Sequence, residues 1–181
     1  MTNPPPQLDF VLSDGFRILE RTPAVLRECL SGIPDAWLDG NEGGDTFSPR
    51  EVVGHLIHGE KTDWIPRLRQ IMDGDGDRPF DVFDRFAMRA RPMTPNSELL
   101  SEFSELRREN LEILTSINLS ASDFDLTGIH PAIGVVTVRQ LLATWTAHDL
   151  AHLAQISRTM AKRYAEAVGP WRNHLRVMDR T

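Results

Sequence analysis

Apolar residues recur at three- and four-residue spacing along four long segments of this chain, and no segment shows sustained alternation of apolar and polar residues. The recurrent spacing places apolar side chains on one face of a helix, whereas alternation would indicate a strand. The four segments cover 8–30, 49–72, 96–117 and 137–163. Four such helices with two long connections predict an all-α fold, a four-helix bundle.

Two of these helices carry sequence signals at their first residues. Ser48 is followed by Pro49 and Glu51, and Thr137 is followed by Gln140 at the same spacing. In such a capping box the side chains at the two positions bond each other's backbone N–H groups, and proline suits the first helical position. We therefore expect the second helix to begin at Pro49 and the fourth to open at Thr137.

Prolines and glycines predict where the helices are interrupted. Pro23 should bend or split the first helix and Pro66 should kink the second, because proline lacks the N–H that an α-helix requires. The remaining segments are expected to be irregular connections at 32–45, 78–95 and 118–136, with a short C-terminal helix at 171–178.

The 181 residues suit one domain, which we expect to cover 1–181 with residues 1–7 as a flexible, proline-rich leader. A chain of this length buries enough apolar surface to fold without disulfides. Its first residues lack the basic and apolar regions of a secretory signal, and no apolar run is long enough to cross a membrane. We therefore expect a cytoplasmic protein with no membrane partner.

Charge and cysteine content narrow the possible functions. The chain has 20 Lys and Arg against 26 Asp and Glu, a net charge of -6, which argues against a nucleic-acid partner. Cys29 is the only cysteine, so no internal disulfide framework or cysteine-rich metal site can form, and we expect it in the core. The six histidines thus become the main candidates for metal or acid–base chemistry.

His148 and His152 lie four residues apart on the fourth helix, so their side chains stack on one face. The apolar stripe of the helix shares that face, which directs both imidazoles into the bundle. A buried polar group without a partner costs on the order of 1–3 kcal/mol. A divalent cation would satisfy both rings, and hydrogen bonds to a carboxylate or carbonyl are the alternative.

The second helix offers four candidates for a third ligand: His55, His58, Glu60 and Asp63. Glu60 lies within the apolar stripe, whereas both histidines lie off its centre. Periodicity therefore supports a ligand from this helix without selecting one, and either histidine could equally face solvent.

The His148-Asp149-x-x-His152 segment differs from the zincin motif at one position. In that motif a glutamate follows the first histidine and serves as general base. Asp149 is one methylene shorter and reaches less far, so we exclude a metalloprotease. Asp149 is expected to hold a neighbouring polar side chain instead.

The other patterns carry less information. No nucleophile elbow, dinucleotide-binding glycine motif or P-loop occurs, so a nucleotide cofactor is not expected. His130 and His174 lie in loop-like segments and are expected to be solvated. The arginines of the 78–95 connection either face an anionic substrate or form a solvated face: Arg85, Arg89 and Arg91.

Residues 47–60 and 136–155 together resemble the two signature segments of the DinB/YfiT-like family, in the family's order and at a typical separation. The resemblance implies an up-down-down-up four-helix bundle with long crossovers, assembled as a homodimer. It also implies a divalent metal, zinc or nickel, held by three histidines with one open position. Carried over by position, these ligands are His55, His148 and His152.

Proteins similar to this chain include thiol-dependent transferases, isomerases and proteins described as hydrolases. The leading hypothesis is therefore a metal-dependent enzyme that activates a low-molecular-weight thiol or a water for reaction with a small-molecule substrate. The sequence identifies no general base, so the catalytic residues beyond the metal site are unassigned. The alternative is a non-catalytic bundle with a structural metal or a ligand-binding or sensing role.

Overall fold

The structure is a computed structural model that describes residues 7–178. The helices are α1 (Leu12–Leu30), α2 (Asp35–Leu38), α3 (Pro49–Thr62), α4 (Trp64–Met72), α5 (Asn96–Ile117) and α6 (Val138–Lys162). The strands are β1 (Thr127–His130) and β2 (Gly134–Thr137), and 3₁₀ turns lie at Ala87–Ala90, Asp123–Asp125, Gly169–His174 and Arg176–Met178. Most of the predicted leader, residues 1–6, lies outside the described residues.

Contacts between helix ends show the direction of α1, α3 and α5. Asn96, the first residue of α5, donates to the last carbonyl group of α1, so these two helices are antiparallel. Arg50 at the start of α3 donates to the Thr94 carbonyl just before α5, and Asn110 late in α5 donates to Glu60 at the end of α3. α3 and α5 are therefore parallel.

α6 closes the bundle against α1 and the α3–α4 pair. His55 in α3 lies beside His152, whereas Trp64 in α4 stacks on Trp145, so α6 is antiparallel to α3. The end of α1 shares an apolar cluster with Ile156, which makes α1 and α6 parallel. The predicted up-down-down-up bundle is confirmed. None of the helices within 7–178 combines the length and hydropathy of a bilayer-spanning segment.

Both predicted capping boxes form. Ser48 Oγ accepts the Glu51 N–H at 3.2 Å, and Glu51 Oε2 accepts the Ser48 N–H at 2.9 Å. Thr137 Oγ1 and Gln140 Oε1 exchange the equivalent bonds at 3.2 and 2.9 Å. These bonds satisfy N–H groups that a helix start leaves unpaired. The caps therefore set where the two site-bearing helices begin.

Pro23 does not split the first helix, which is continuous from Leu12 to Leu30. The first helix also begins later than the expected position 8, since Leu8 is 92% exposed and has no core to pack against. Because proline has no N–H, the carbonyl of Leu19, four residues earlier, lacks its helical donor. Arg107 Nη1 of α5 donates to that carbonyl at 2.9 Å and replaces the missing bond.

The second helix is interrupted, but at Asp63 rather than at Pro66. Asp63 ends α3 and precedes α4 with φ -111° and ψ -76°. Pro66 then falls in the first turn of α4, where its missing N–H removes no helical hydrogen bond. Because α4 begins at Trp64, two residues before Pro66, the proline ring lies in the first turn of a helix, where it is tolerated.

Two connections contain more regular structure than the sequence indicates. The 32–45 segment includes the one-turn helix α2, and 118–136 includes β1 and most of β2, which form an antiparallel hairpin. Four-residue strands are too short to display an alternating pattern. Gly128 allows the hairpin to approach Phe80, since a Cβ there would lie 2.4 Å from the phenyl ring. Where the sequence predicts a short C-terminal helix at 171–178, the chain forms two 3₁₀ helices, Gly169–His174 and Arg176–Met178.

Two apolar clusters fill the bundle. They are separated by a polar layer that consists of Glu60, Arg107, Asn110 and Asp149. On α5, Leu99, Leu100 and Phe103 belong to one cluster and Leu111 and Leu114 to the other, with Arg107 between them. Cys29 packs against the first cluster, half-buried. The polar layer thus lies where the four long helices face one another.

Arg107 is 1% exposed and bridges two buried carboxylates. Nη2 donates to Glu60 at 2.9 Å, and the guanidinium makes two bonds to Asp149, at 2.6 and 3.0 Å. Asn110 and Trp145 also donate to Glu60, at 2.9 and 3.0 Å. Buried charges of this kind are tolerated only when they are paired and hydrogen-bonded. Both Nη atoms of Arg107 have partners, whereas its buried Nε has none within residues 7–178.

We expect Arg107→Met to lower the free energy of unfolding by about 3–5 kcal/mol, because it leaves two carboxylates buried without their cation. Urea unfolding at neutral pH measures this loss. Combining the change with Glu60→Gln and Asp149→Asn removes the stranded charges and should recover much of the stability. A single variant within 1 kcal/mol of the wild type would contradict the assigned role.

Candidate metal centre

Three histidines from two helices converge at the polar layer. His55 is buried on α3, and His148 and His152 are half-buried on α6. Nε2 of His148 lies 3.2 Å from Nε2 of His55 and 3.0 Å from Nε2 of His152. One ligand atom from each ring lies within 4.8 Å of the others. The structure thus brings together the three residues that the family pattern selects.

Hydrogen bonds at the far side of two rings orient their Nε2 atoms toward the centre. His55 Nδ1 lies 3.3 Å from the Arg85 carbonyl, and His152 Nδ1 lies 2.8 Å from Gln155 Oε1. Because both oxygens accept, each Nδ1 carries the proton and each neutral ring presents an unprotonated Nε2. His148 Nδ1 is buried with no hydrogen-bond partner among the described residues.

The donor set fits a divalent cation. Three nitrogens held tetrahedrally around zinc at about 2.0–2.1 Å stand roughly 3.3 Å apart, close to the observed spacings. Without a cation, His148 can donate a proton to one neighbouring Nε2 but not to both, so a lone-pair contact remains. A cation bound by all three rings removes that repulsion. The three-histidine group therefore suggests a divalent metal site.

The environment keeps these imidazoles neutral, as metal ligands must be. Burial lowers the pKa of His55 to about 4 and the pKa of His148 to about 3, and repulsion from positive charge on His152 contributes to both shifts. Burial also lowers the pKa of His152, while the bond to Gln155 and the Asp149 carboxylate oppose that shift. At neutral pH the rings are ready to bind a cation without first losing protons.

Asp149 has the supporting role that its position predicts. It is fully buried and accepts both bonds from Arg107, so it lies in the layer beneath the histidines and not among them. Because Asp149 follows His148 directly, its bonds to Arg107 hold the local register of α6. This contact is consistent with the exclusion of the zincin arrangement.

A cavity of about 640 Å³ opens beside His55 and His148. Its apolar wall includes aromatic rings of the 78–95 connection, which is the long crossover between α4 and α5, and residues of the β-hairpin: Phe80, Phe83, Ile133 and Val135. Its polar wall includes Asp63, Arg67, Arg85 and His130. A smaller cavity of about 330 Å³ lies against His152 and shares His55 and Arg85 with the first. The histidines are therefore accessible to a small molecule.

Asp63 is a carboxylate of the cavity wall, and its pKa is raised. Burial raises its pKa to about 6, and the neighbouring Arg67 guanidinium, 2.6 Å away, limits the increase. A carboxyl group with such a pKa can exchange a proton near neutral pH. Asp63 lies in the cavity wall and outside the histidine cluster.

The other candidate ligands lie outside the histidine cluster. His58 is half-buried, packs on Phe83 with ring centres 4.8 Å apart, and places Nε2 3.4 Å from Thr62 Oγ1. Glu60 points into the Arg107 network. His174 is exposed, as expected.

His130, which is expected to be solvated, is only partly so. Its ring is half-buried in the cavity wall, Nδ1 accepts the Ala132 N–H at 3.1 Å, and burial lowers its pKa. Sequence reasoning missed it because a non-local hairpin brings it to the cavity. Arg107 was also missed. It lies four residues from both Phe103 and Leu111, and this spacing places an arginine on the inward face of α5 and could have indicated a buried charge.

Comparison with known proteins places this arrangement in context. The sequence model of the DinB superfamily matches residues 18–156, and no curated protein matches significantly. The fold is similar to YfiT from Bacillus subtilis, described as "a probable metal-dependent hydrolase with an unusual four-helix bundle topology". The chains are 20% identical with a TM-score of 0.74, over 91% of this chain and 94% of YfiT. That likeness shows a shared fold.

We expect the metal-free protein to lose stability as the pH falls from 6.5 toward 3, more strongly than a His148→Phe variant. Below pH 6.5 the unfolded His148 binds a proton, whereas the folded ring does so only near pH 3, so the unfolded state binds more protons in this window. The difference should reach on the order of 2 kcal/mol by pH 5.

Urea unfolding in the presence of chelator, at pH 7 and pH 5, measures this effect. The matched control is His174→Phe, which changes an exposed histidine and should keep the wild-type pH dependence. Equal pH dependence in the wild type and in His148→Phe would contradict the assignment of a buried, neutral imidazole.

Proposed function

This chain belongs to the DinB superfamily, and on that premise we propose a metal-dependent enzyme in which His55, His148 and His152 hold a divalent cation beside a small-molecule site. Convergence of the three Nε2 atoms carries this proposal. Zinc and nickel are the metals that we propose, because both suit imidazole ligands. The description of YfiT as "a probable metal-dependent hydrolase" supports the same class of site.

A divalent cation with three protein ligands supplies an open position that polarises a carbonyl or lowers the pKa of a water or a thiol. The chain's own groups organise that position. The Arg85 carbonyl and the Gln155 side chain hold two of the imidazoles in orientation. Trp64 packs against His148 and Phe83 packs against His55, with ring centres 5.2 and 5.4 Å apart, and both rings line the cavity beside these histidines.

We propose hydrolysis as the leading reaction class. The cavity accommodates a small substrate next to His55 and His148. Asp63 and His130 are its ionisable wall residues that can accept or return a proton, and the pKa of Asp63, about 6, suits that exchange. This assignment supplies candidates for the general base that the sequence alone leaves unassigned.

A reaction with a low-molecular-weight thiol is the second candidate. The three Nε2 atoms face one another and two Nδ1 atoms are hydrogen-bonded, which leaves few groups to deprotonate a water. A thiol, with an ordinary pKa near 8.5, needs less assistance than water. A purely structural metal fits less well, because structural sites are closed by four protein ligands.

We expect His55→Ala to abolish metal binding and His58→Ala to preserve it. His58 is the matched control, since it lies on the same helix one turn away and outside the cluster. Elemental analysis of protein purified without an affinity tag measures metal per chain. Loss of metal in His58→Ala and retention in His55→Ala would overturn the ligand assignment.

We expect catalysis to disappear with chelator, return with zinc or nickel, and be lost in His152→Ala. The assay compares a panel of small esters and amides with a panel of electrophiles plus thiol, and measures product with and without chelator. Product formed without thiol supports hydrolysis, and product that requires thiol supports transfer. Activity that persists in metal-free His152→Ala would rule out both reactions at this site.

A further inference from the structure

The structure separates the three arginines of the long crossover. Arg89 pairs with Glu51 at 2.8 Å and with Asp45 at 3.7 Å. Arg91 makes two hydrogen bonds to Glu102. Arg85 makes no ion pair with any residue in 7–178. One of the three positive charges is therefore available to a ligand.

Arg85 lies at the metal centre through both its backbone and its side chain. Its carbonyl accepts from His55, and its side chain lines both cavities that reach the histidines. The guanidinium stacks over Phe86 and Phe47, with its carbon 4.7 and 5.4 Å from the ring centres. This stacking restrains the side chain while leaving its N–H groups free to donate.

The carboxylates around the cavities do not neutralise Arg85. Asp63 pairs with Arg67, and Asp45 lies 3.7 Å from Arg89. Asp84, the preceding residue, accepts the N–H of Phe86 at 2.9 Å and is exposed. The unbalanced charge at this side of the site is positive.

We propose that Arg85 binds an anionic group of the substrate, so that the site selects small carboxylic acids whose reacting group lies a few bonds from the carboxylate. A guanidinium matches a carboxylate in shape and in charge. A single arginine balances one negative charge, which favours a carboxylate over a doubly charged phosphate. This inference rests on the proposed metal-dependent function.

The other walls indicate the rest of the ligand. Ile133 and Val135 of the hairpin are 72% and 68% exposed and line the same cavity, with Phe83 on the crossover side. Exposed aliphatic side chains around a cavity gain stability when an apolar group covers them. The favoured substrate is therefore an acid with an apolar body.

Binding of small thiols to cobalt-loaded protein tests Arg85 without an activity assay. The probes are mercaptoacetate, 3-mercaptopropionate and 4-mercaptobutyrate, each compared with its neutral amide. Thiolate sulfur is a good ligand for such metals, and its bond to cobalt produces a charge-transfer band that reports binding. Three chain lengths sample the distance between the cation and the guanidinium.

We expect the wild type to prefer the acid over the amide at one or more lengths, and Arg85→Gln to reduce that preference on the order of fivefold to tenfold. Arg85→Lys should keep part of it. The matched control is Arg89→Gln, which removes a charge stacked on the same two phenylalanines but already paired with Glu51. Its preference should remain that of the wild type.

The outcomes distinguish the two proposals. Failure of the wild type to bind cobalt stoichiometrically overturns the metal centre and this inference with it. Normal cobalt and thiol binding, with acid preference unchanged in Arg85→Gln or reduced equally in Arg89→Gln, overturns the role of Arg85 alone.

Discussion

Packing of the four long helices is organised around the hydrogen bonds of the buried Arg107 guanidinium. It bonds the Leu19 carbonyl of α1, Glu60 of α3 and Asp149 of α6, so one side chain of α5 joins all four long helices. Pro23 is part of the arrangement, because its missing N–H leaves the Leu19 carbonyl free to accept. A charge buried this deeply is stable only when each partner is in place, so the network constrains how the helices pack.

The histidine centre is built on that network. Asp149 holds α6 between His148 and His152, while Glu60 holds α3 five residues after His55 and accepts from Trp145 of α6. The two helices therefore meet in the register that brings the three Nε2 atoms together. Two carboxylates around one guanidinium also leave net negative charge beneath the imidazoles. Burial lowers the pKa of His152 and Asp149 opposes that shift, whereas the Arg107 guanidinium adds to the effect of burial in lowering the pKa of His148.

Much of the fold follows from local patterns, whereas the site depends on contacts distant in sequence. Helical spacing predicts α3 with α4, α5 and α6, and the capping boxes form as predicted. The break at Asp63 and the β-hairpin escape prediction because they depend on packing and on strands too short to show a pattern. Family resemblance selects His55 over His58. Periodicity does not distinguish them, because the side of α3 that faces α6 is not the centre of its apolar stripe. Metal binding by these residues, and assembly as a homodimer, stay predictions.

Helix periodicity and composition are local properties, so they predict an acidic, single-cysteine helical bundle with His148 and His152 on one face. Which polar groups contact one another depends on how the helices and connections pack. In the structure Glu60 accepts from Arg107, and His130 lines the cavity. Arg89 pairs with Glu51 and Arg91 pairs with Glu102, whereas Arg85 lines the cavity beside the histidines. Ion pairs and cavities join residues that are far apart in sequence, and their geometry is set when helices and crossovers pack.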